Sequence, residues 1–161
     1  LLGIAPPAAA AVEPLVVFLV RHAEKVDSSD ESPLTELGRE RAALLARTLR
    51  DARIEHVHSS DYVRTRDTAA PAVTLTRTEV QLYDAADIPA LVAKLKTTGG
   101  RHLVVGHSNT TPEAVKLLGG DPGAPIEESN DYDRLYVVTV GTDGVVSTVL
   151  LRFGRPPVGK P

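Results

Sequence analysis

Two arginines and two histidines in this sequence stand where they could act together on an anion. Arg21 and His22 directly follow one apolar run, and His107 closely follows a second. Arg64 comes shortly after a third segment, which contains two adjacent serines. An arginine can form two parallel charge-assisted hydrogen bonds with a phosphate, and a neutral imidazole is a competent nucleophile near pH 7. The four side chains therefore predict an anion site that contains a nucleophile.

Predicted strands are the elements that must position these side chains. Residues 15–20 and 103–105 are apolar and rich in valine, which is typical of strands buried in a parallel sheet. Because the carboxyl ends of parallel strands meet at one edge, ligands of open α/β sheets bind at that edge. We therefore expect the anion site at the edge where the two runs end.

The rest of the chain alternates apolar runs with stretches of helical periodicity, as βα units do. A helix capped by Ser60 or Asp61 is predicted to stop at Pro71. The runs 135–140 and 145–151, separated by Gly-Thr-Asp-Gly, predict an antiparallel hairpin. The predicted fold class is α/β, a three-layer αβα sandwich whose mostly parallel sheet carries an antiparallel C-terminal hairpin.

Three motifs, in the order found here, resemble the signature of the histidine phosphatase superfamily, also called the phosphoglycerate mutase-like fold. These motifs are Arg21-His22-Ala23-Glu24, Ser59-Ser60-Asp61-Tyr62-Val63-Arg64 and Gly106-His107. The resemblance covers roughly residues 15–136, most of the chain, and implies a histidine phosphatase domain over 14–161. It points to the small single-domain phosphatases of the superfamily.

The resemblance also implies a mechanism, in which no metal or other cofactor takes part. His22 would be the nucleophile and form a phosphohistidine, and Arg21 and Arg64 would bind the phosphate. His107 would lie on the opposite side and donate a hydrogen bond to a non-bridging oxygen. The general acid of the family follows a middle strand, where this chain has Asp84, with Glu24 as the alternative. General acid catalysis contributes about 10²–10⁴-fold, so the identity of this residue matters.

Three other functions stay open at this point. Mutases of the family carry large insertions over the site, whereas the segment between Arg64 and His107 has room for one strand, one helix and the next strand. A non-catalytic phosphate-binding module would keep the arginines without a working acid. The spacing of His56 and His58, together with His102, leaves a metal-dependent hydrolase as the third alternative.

The expected partner is a small phosphorylated substrate or a phosphoprotein. The resemblance extends both to phosphohistidine phosphatases of signalling proteins and to exported phosphatases of cell-envelope sugar phosphates. A net charge of −3 argues against general binding of nucleic acid. No apolar segment is long enough to span a bilayer, so stable membrane insertion is not expected. We expect a monomer or a weak dimer.

The N-terminal residues 1–13 differ in composition from the rest of the sequence. They begin with Leu-Leu-Gly-Ile and continue with two prolines and four alanines. Such a tract resembles either the end of a signal peptide or an Ala/Pro-rich arm. The first interpretation slightly favours an exported or periplasmic location over a cytoplasmic one.

Overall fold

The computed structural model describes residues 13–158, so the expectations for the N-terminal tract fall almost entirely outside the described residues. The domain boundary at residue 13 stays a prediction. Within the described range the chain forms β1 (Leu15–Arg21), α1 (Glu36–Thr48), β2 (His56–Ser60), α2 (Val63–Thr76), β3 (Val80–Tyr83), α3 (Ile88–Thr98), β4 (Arg101–Gly106), α4 (Thr110–Leu117), β5 (Arg134–Val140) and β6 (Val146–Arg152).

The strands form one sheet in the order β3-β2-β4-β1-β5-β6. The first four strands in this order are parallel to one another, whereas β5 is antiparallel to both β1 and β6. Arg21 pairs with Gly106, and Val105 pairs with Ser59, so β1, β4 and β2 end at the same edge. The predicted α/β class, with a mostly parallel sheet and a C-terminal hairpin, is confirmed.

Strand β1 lies at the centre and is buried on both faces. Val17 and Leu19 pack in a core with apolar residues of α3 and α4, whereas Val16, Phe18 and Val20 pack in a second core with residues of α1 and α2. Helices therefore cover both faces of the sheet, as the three-layer prediction requires. This double burial explains why β1 is a continuous apolar run instead of an alternating one.

Helix α2 is longer than predicted, because it continues through Pro71 to a left-handed residue at Arg77. A proline inside a helix removes one backbone hydrogen bond and costs about 3 kcal/mol, but buried alanines on both sides of Pro71 pack in the core and offset this cost. The predicted cap is also wrong. The residue at the N-cap is Tyr62, and no side chain caps the helix, which leaves Ser60 free for other contacts.

Three histidines stack beside one another on β2 and β4. The ring of His102 lies 4.7 Å from that of His56 and 5.1 Å from that of His58, centroid to centroid. His102 Nε2 donates to the Gly99 carbonyl over 2.7 Å, so its Nδ1 accepts from His58 Nε2 over 2.9 Å. Stacked rings do not converge on a common point. In the part of the chain that the structure describes, no cluster of His, Cys, Asp or Glu side chains fits a metal ion.

The buried histidine pair predicts a loss of stability in acid. Burial, with the nearby His102, Lys94 and His56, lowers the pKa of His58 to about 3, and burial also lowers the pKa of His102 despite nearby Glu55. Below about pH 6.5 the unfolded chain binds protons that the folded chain does not, so each such histidine removes up to about 1.4 kcal/mol of stability per pH unit. Urea unfolding between pH 7 and 4 measures this slope.

The variant His58→Gln tests the assignment, because glutamine keeps a donor for His102 but does not titrate. Its unfolding free energy should fall less steeply with decreasing pH than that of the wild type. Identical slopes for the two proteins would contradict the prediction.

None of the helices over 13–158 is long and apolar enough to cross a membrane.

Candidate active site

The two histidines singled out from the sequence meet at the carboxyl edge of the sheet. His22 follows β1 directly, and its backbone N–H donates to the carbonyl of Gly106, the last residue of β4, over 2.8 Å. This bond aligns the two strand ends, so the ring of His107 lies 5.5 Å from that of His22, nearly edge to face. A cavity of about 550 Å³ opens beside both rings. Among the residues that line it are His22, Lys25, Tyr62, Arg64, His107 and Glu128.

His22 is 3% exposed and is held in one tautomer. Its Nδ1 lies 2.8 Å from the carbonyl oxygen of Ala23, which can only accept, so Nδ1 carries the proton. Nε2 therefore carries the lone pair. Burial, together with the positive charges of Arg21 and Arg64, lowers the pKa of His22 to about 3. The imidazole is neutral at pH 7 and is ready to attack through Nε2.

Arg21, the last residue of β1, ties the site to the loop 127–132. Its Nη2 donates to the carbonyl of Glu128 over 2.7 Å, and its Nη1 donates to the carbonyls of Glu127 and Asp131 over 3.3 and 3.2 Å. The guanidinium also lies 4.0 Å from the ring centroid of Tyr132, a cation–π distance. Only backbone oxygens accept these bonds, so the charge of Arg21 is not neutralised by them.

Arg64, in the first turn of α2, holds a second loop in the same manner. Its Nη1 donates to the carbonyls of Ser29 and Asp30 over 3.3 and 3.1 Å, and its guanidinium lies 4.5 Å from the ring of Tyr62. Arg64 is 9% exposed and Arg21 is 3% exposed. Buried arginines are normally paired with carboxylates, whereas these two contact main-chain carbonyls and aromatic rings.

In each of these two arginines, one buried N–H group has no hydrogen-bond partner among the described residues. The Nε atoms of Arg21 and Arg64 have no hydrogen-bond partner within residues 13–158, although water does not reach them. An unsatisfied buried N–H is costly, and a ligand that accepts from it recovers the cost. Arg64 lines the cavity, whereas Arg21 does not. A cation with such a donor at the cavity favours an anion whose oxygens can accept.

His107 faces His22 across the cavity and is also neutral. Burial, with Arg64, Arg21 and Lys25 nearby, lowers its pKa to about 4. Its Nε2 lies 2.8 Å from Ser60 Oγ, and its backbone N–H donates to Thr110 Oγ1 over 2.9 Å. The lining of the cavity therefore contains two neutral imidazoles, His22 and His107, together with the cations Lys25 and Arg64.

Comparison with known proteins decides the family. The family model described as histidine phosphatase superfamily (branch 1) matches residues 17–86, which contain two of the three motifs. Residues 17–86 therefore belong to the histidine phosphatase superfamily. A probable phosphoglycerate mutase, GpmB, of Photorhabdus laumondii is 30% identical over 131 residues, which are 76% of this chain and 59% of that protein. Another, from Yersinia pestis, is 42% identical over 62 residues, 34% of this chain and 29% of that protein.

The chain thus spans 59% of the length of the first of these curated relatives and matches 29% of the second. Solved structures resemble it over nearly their full length. The protein histidine phosphatase SixA, complexed with tungstate, has a TM-score of 0.67 at 20% identity and covers 86% of this chain and 97% of its own. A mycobacterial glucosyl-3-phosphoglycerate phosphatase has a TM-score of 0.66 at 16% identity, covering 88% and 99%. At these identities the likeness establishes the fold.

The structure brings four of the five predicted site residues together, and Asp84 stays apart from them. Asp84 is exposed just after β3, and its Oδ1 accepts from the N–H of Ala86 in a turn. Ala85 and Ala86 line the cavity, whereas Asp84 does not. Its predicted role as general acid stays a prediction.

Glu24, the alternative acid, is held in an ion pair. Both of its carboxylate oxygens accept from Arg41, with the shortest bond at 2.7 Å. Arg41 is 6% exposed, and it also donates to the carbonyls of Phe153 and Arg155. Glu24 thus joins the nucleophile loop to α1 and to the chain after β6, which is a structural role.

Sequence reasoning did not identify Glu128, which lines the cavity. The sequence around Tyr132, just before the hairpin, suggested a position near the site, and the Tyr132 ring does lie 4.0 Å from the Arg21 guanidinium. Both belong to a long connection between α4 and β5, and no periodicity or strand exit marks them. A search for carboxylates and aromatic residues in the segment before the hairpin is the signal that could have found them.

Proposed function

We propose that this chain is a phosphatase that hydrolyses a phosphate monoester, or phosphohistidine, through a phosphohistidine intermediate on His22. The observation that carries the proposal is the neutral imidazole of His22, whose Nε2 holds a free lone pair, in one cavity with the cations Lys25 and Arg64. The cations match a phosphate, and the lone pair matches a nucleophile for phosphorus. Membership of the histidine phosphatase superfamily supports the same chemistry.

The proposed cycle has two displacements at phosphorus. In the first, His22 Nε2 forms a bond to phosphorus while the bond to the leaving atom breaks, and the leaving atom takes a proton from the general acid. In the second, water attacks phosphorus, gives a proton back to the acid, and the phosphorus–nitrogen bond breaks. Arg21 and Arg64 neutralise the charge that spreads over the phosphoryl oxygens, which is the main requirement of phosphoryl transfer.

The acceptor of the phosphoryl group separates a phosphatase from a mutase. The likeness to probable phosphoglycerate mutases favours transfer to a second hydroxyl, so this alternative needs a direct test. Between Arg64 and His107, however, the chain forms the rest of α2, then β3, α3 and β4, with short connections. No inserted cover is present in this segment, and an open site favours water as acceptor.

The test is turnover in ¹⁸O-labelled water with three substrates: an aryl phosphate, 3-phosphoglycerate and a phosphohistidine peptide. A phosphatase releases inorganic phosphate with one labelled oxygen per turnover. Formation of 2-phosphoglycerate without phosphate release would replace the proposal by the mutase alternative. Phosphate binding without turnover of any substrate would favour the non-catalytic binding module.

The two solved structures suggest two substrate classes. One is named a protein histidine phosphatase and the other a glucosyl-3-phosphoglycerate phosphatase. We propose a phosphorylated substrate with an accessible phosphate, either a small molecule or a phosphoprotein. The relative kcat/KM of the peptide and of sugar phosphates in the same assay measures the preference.

The proton donor can be found from leaving-group dependence. We expect Asp84→Asn to slow hydrolysis of alkyl phosphates by about 10²-fold and to change aryl phosphates little, because a phenolate needs less protonation than an alkoxide. Glu128→Gln is the matched comparison, since Glu128 lines the cavity in this structure. A selective loss in Glu128→Gln alone would transfer the role to Glu128, and equal slowing of both ester classes would exclude the residue tested.

A further inference from the structure

Behind His107 lies a short chain of hydroxyl groups whose direction is fixed by the backbone. Thr65 Oγ1 lies 2.9 Å from the carbonyl oxygens of Ser60 and Tyr62, and both oxygens can only accept. The single proton of the Thr65 hydroxyl is therefore spent on the backbone. Any further hydrogen bond to Thr65 Oγ1 must be donated to it.

The donor in each of the next two hydrogen bonds, first at Ser60 and then at His107, follows from this. Ser60 Oγ lies 3.0 Å from Thr65 Oγ1 and must donate there, which uses its one proton. Ser60 Oγ can then only accept from His107 Nε2, which lies 2.8 Å away. Nε2 is the protonated nitrogen of the neutral ring. Nδ1 carries the lone pair, and it has no hydrogen-bond partner in the described chain.

This assignment has a consequence for phosphate binding, and it rests on the proposed function. A lone pair on Nδ1 repels an unprotonated phosphate oxygen but accepts a hydrogen bond from a protonated one. We propose that Ser60 and Thr65 are positioning residues that fix His107 in the Nε2–H tautomer, so that phosphate enters the site together with one proton. That proton lies between Nδ1 and a phosphate oxygen, and its source is solvent or the phosphate monoanion.

The hydrogen-bonded chain from Thr65 through Ser60 to His107, called the relay below, is shielded from solvent. Thr65 and Ser60 have no exposed surface, so water does not compete for their hydroxyl groups. The groups that face His107 are mostly cationic or neutral, and their positive charge disfavours a proton on the empty site. They are Arg21, His22, Lys25, Tyr62, Arg64, Tyr83, whose hydroxyl donates to the Val105 carbonyl, and Glu128 across the cavity.

The variant Thr65→Val reverses the relay with little change of shape, provided that Tyr83→Phe is present in the variant and in its reference protein, because the Tyr83 hydroxyl is a second hydrogen-bond partner of Ser60. Without both hydroxyls, Ser60 has His107 Nε2 as its acceptor, which moves the ring proton to Nδ1. In ¹⁵N-histidine NMR at pH 8, the wild type should show a protonated Nε2 and the variant a protonated Nδ1. His107→Gln identifies the signals of His107 by their absence.

Inorganic phosphate then tests the coupling to a proton. Wild-type affinity should fall about tenfold per pH unit above the second pKa of phosphate, because the monoanion is the form bound. Affinity of Thr65→Val should be nearly independent of pH in that range, since its Nδ1–H can donate to the dianion. Titration calorimetry between pH 6 and 9 measures both constants.

Two further variants distinguish the predicted effect from a general folding defect. Thr76→Val removes a similar hydroxyl bond in α2, from Thr76 to the Ala72 carbonyl, and should keep the wild-type tautomer and pH slope. Thr65→Ala removes the same acceptor as Thr65→Val with a smaller side chain and should reproduce its effects. A wild-type Nδ1–H signal, or an unchanged tautomer in both Thr65 variants, would overturn the relay.

The phosphate titration separates this inference from the proposed function. Equal pH slopes in the wild type and Thr65→Val, with phosphate bound by both, would overturn the coupling alone. Absence of phosphate binding by the wild type at every pH would overturn the coupling and the proposed function together. The NMR result decides the relay in either case.

Discussion

Replacing His22 by alanine is expected to lower kcat for an aryl phosphate by at least about 10⁴-fold, a loss typical of removing a covalent nucleophile. The reason is that the neutral ring presents its Nε2 lone pair to the cavity, and His107 is oriented by Ser60 instead. Rapid-quench trapping with ³²P-labelled substrate should show an acid-labile, base-stable adduct in the wild type and none in the variant.

The control for this experiment is His56→Ala, because His56 is partly exposed on β2 and does not line the cavity. It should keep the adduct and most of the activity. His22→Asn provides a second removal of the nucleophile with a smaller loss of volume, in case the alanine variant is unstable. A folded His22→Ala protein with wild-type turnover would contradict the assignment.

Replacing Arg64 by lysine is expected to lower kcat/KM by roughly 10²-fold, even though the positive charge remains. The Arg64 guanidinium holds the Ser29 and Asp30 carbonyls through Nη1 and keeps Nε free. A single ammonium group does not reach the loop and the phosphate together. Steady-state kinetics with an aryl phosphate and calorimetry with inorganic phosphate measure the two losses.

Arg66→Lys is the matched control, since Arg66 lies two residues further along α2 and pairs with Asp61 at the surface. Exposed ion pairs contribute at most about 1 kcal/mol, and this one is outside the cavity, so we expect near-normal kinetics. If Arg64→Lys kept the full rate and affinity, the guanidinium geometry at that position would be irrelevant to phosphate binding.

The positions of the main site residues were predictable because strand ends are predictable. Arg21, His22 and His107 follow apolar runs, and a parallel sheet brings such ends to one edge. Their hydrogen bonds were not predictable, because they depend on the tautomers of the rings and on carbonyls from distant loops. Asp84 shows how far such a prediction reaches. The end of β3 predicted that Asp84 lies near the site, but a hydrogen bond from the Ala86 N–H to its side chain, which the sequence did not predict, sets the direction of the carboxylate.

The length of α2 shows the same limit for the fold. Pro71 is a strong local signal for the end of a helix, yet the helix continues because packing of its buried face outweighs that signal. Glu128 and Tyr132 lie in a connection without periodicity, so sequence patterns do not place them. Both lie near the site because Arg21 donates hydrogen bonds to the main-chain carbonyls of their loop.

The two arginines hold their loops by the main chain, and every residue has the same main-chain carbonyl. The hydrogen bonds of Arg21 and Arg64 to these loops therefore do not depend on which side chains the loops carry, provided that loop length and backbone course are kept. Asp131 has a separate role, because its carboxylate pairs with Arg134 and Arg152. Substitutions there can alter what surrounds the phosphate while its binding groups stay fixed. We expect that exchanging these loops can change the substrate preference of this scaffold. The reason is that the loop side chains would contact the leaving group, whereas the arginine side chains bind the phosphate.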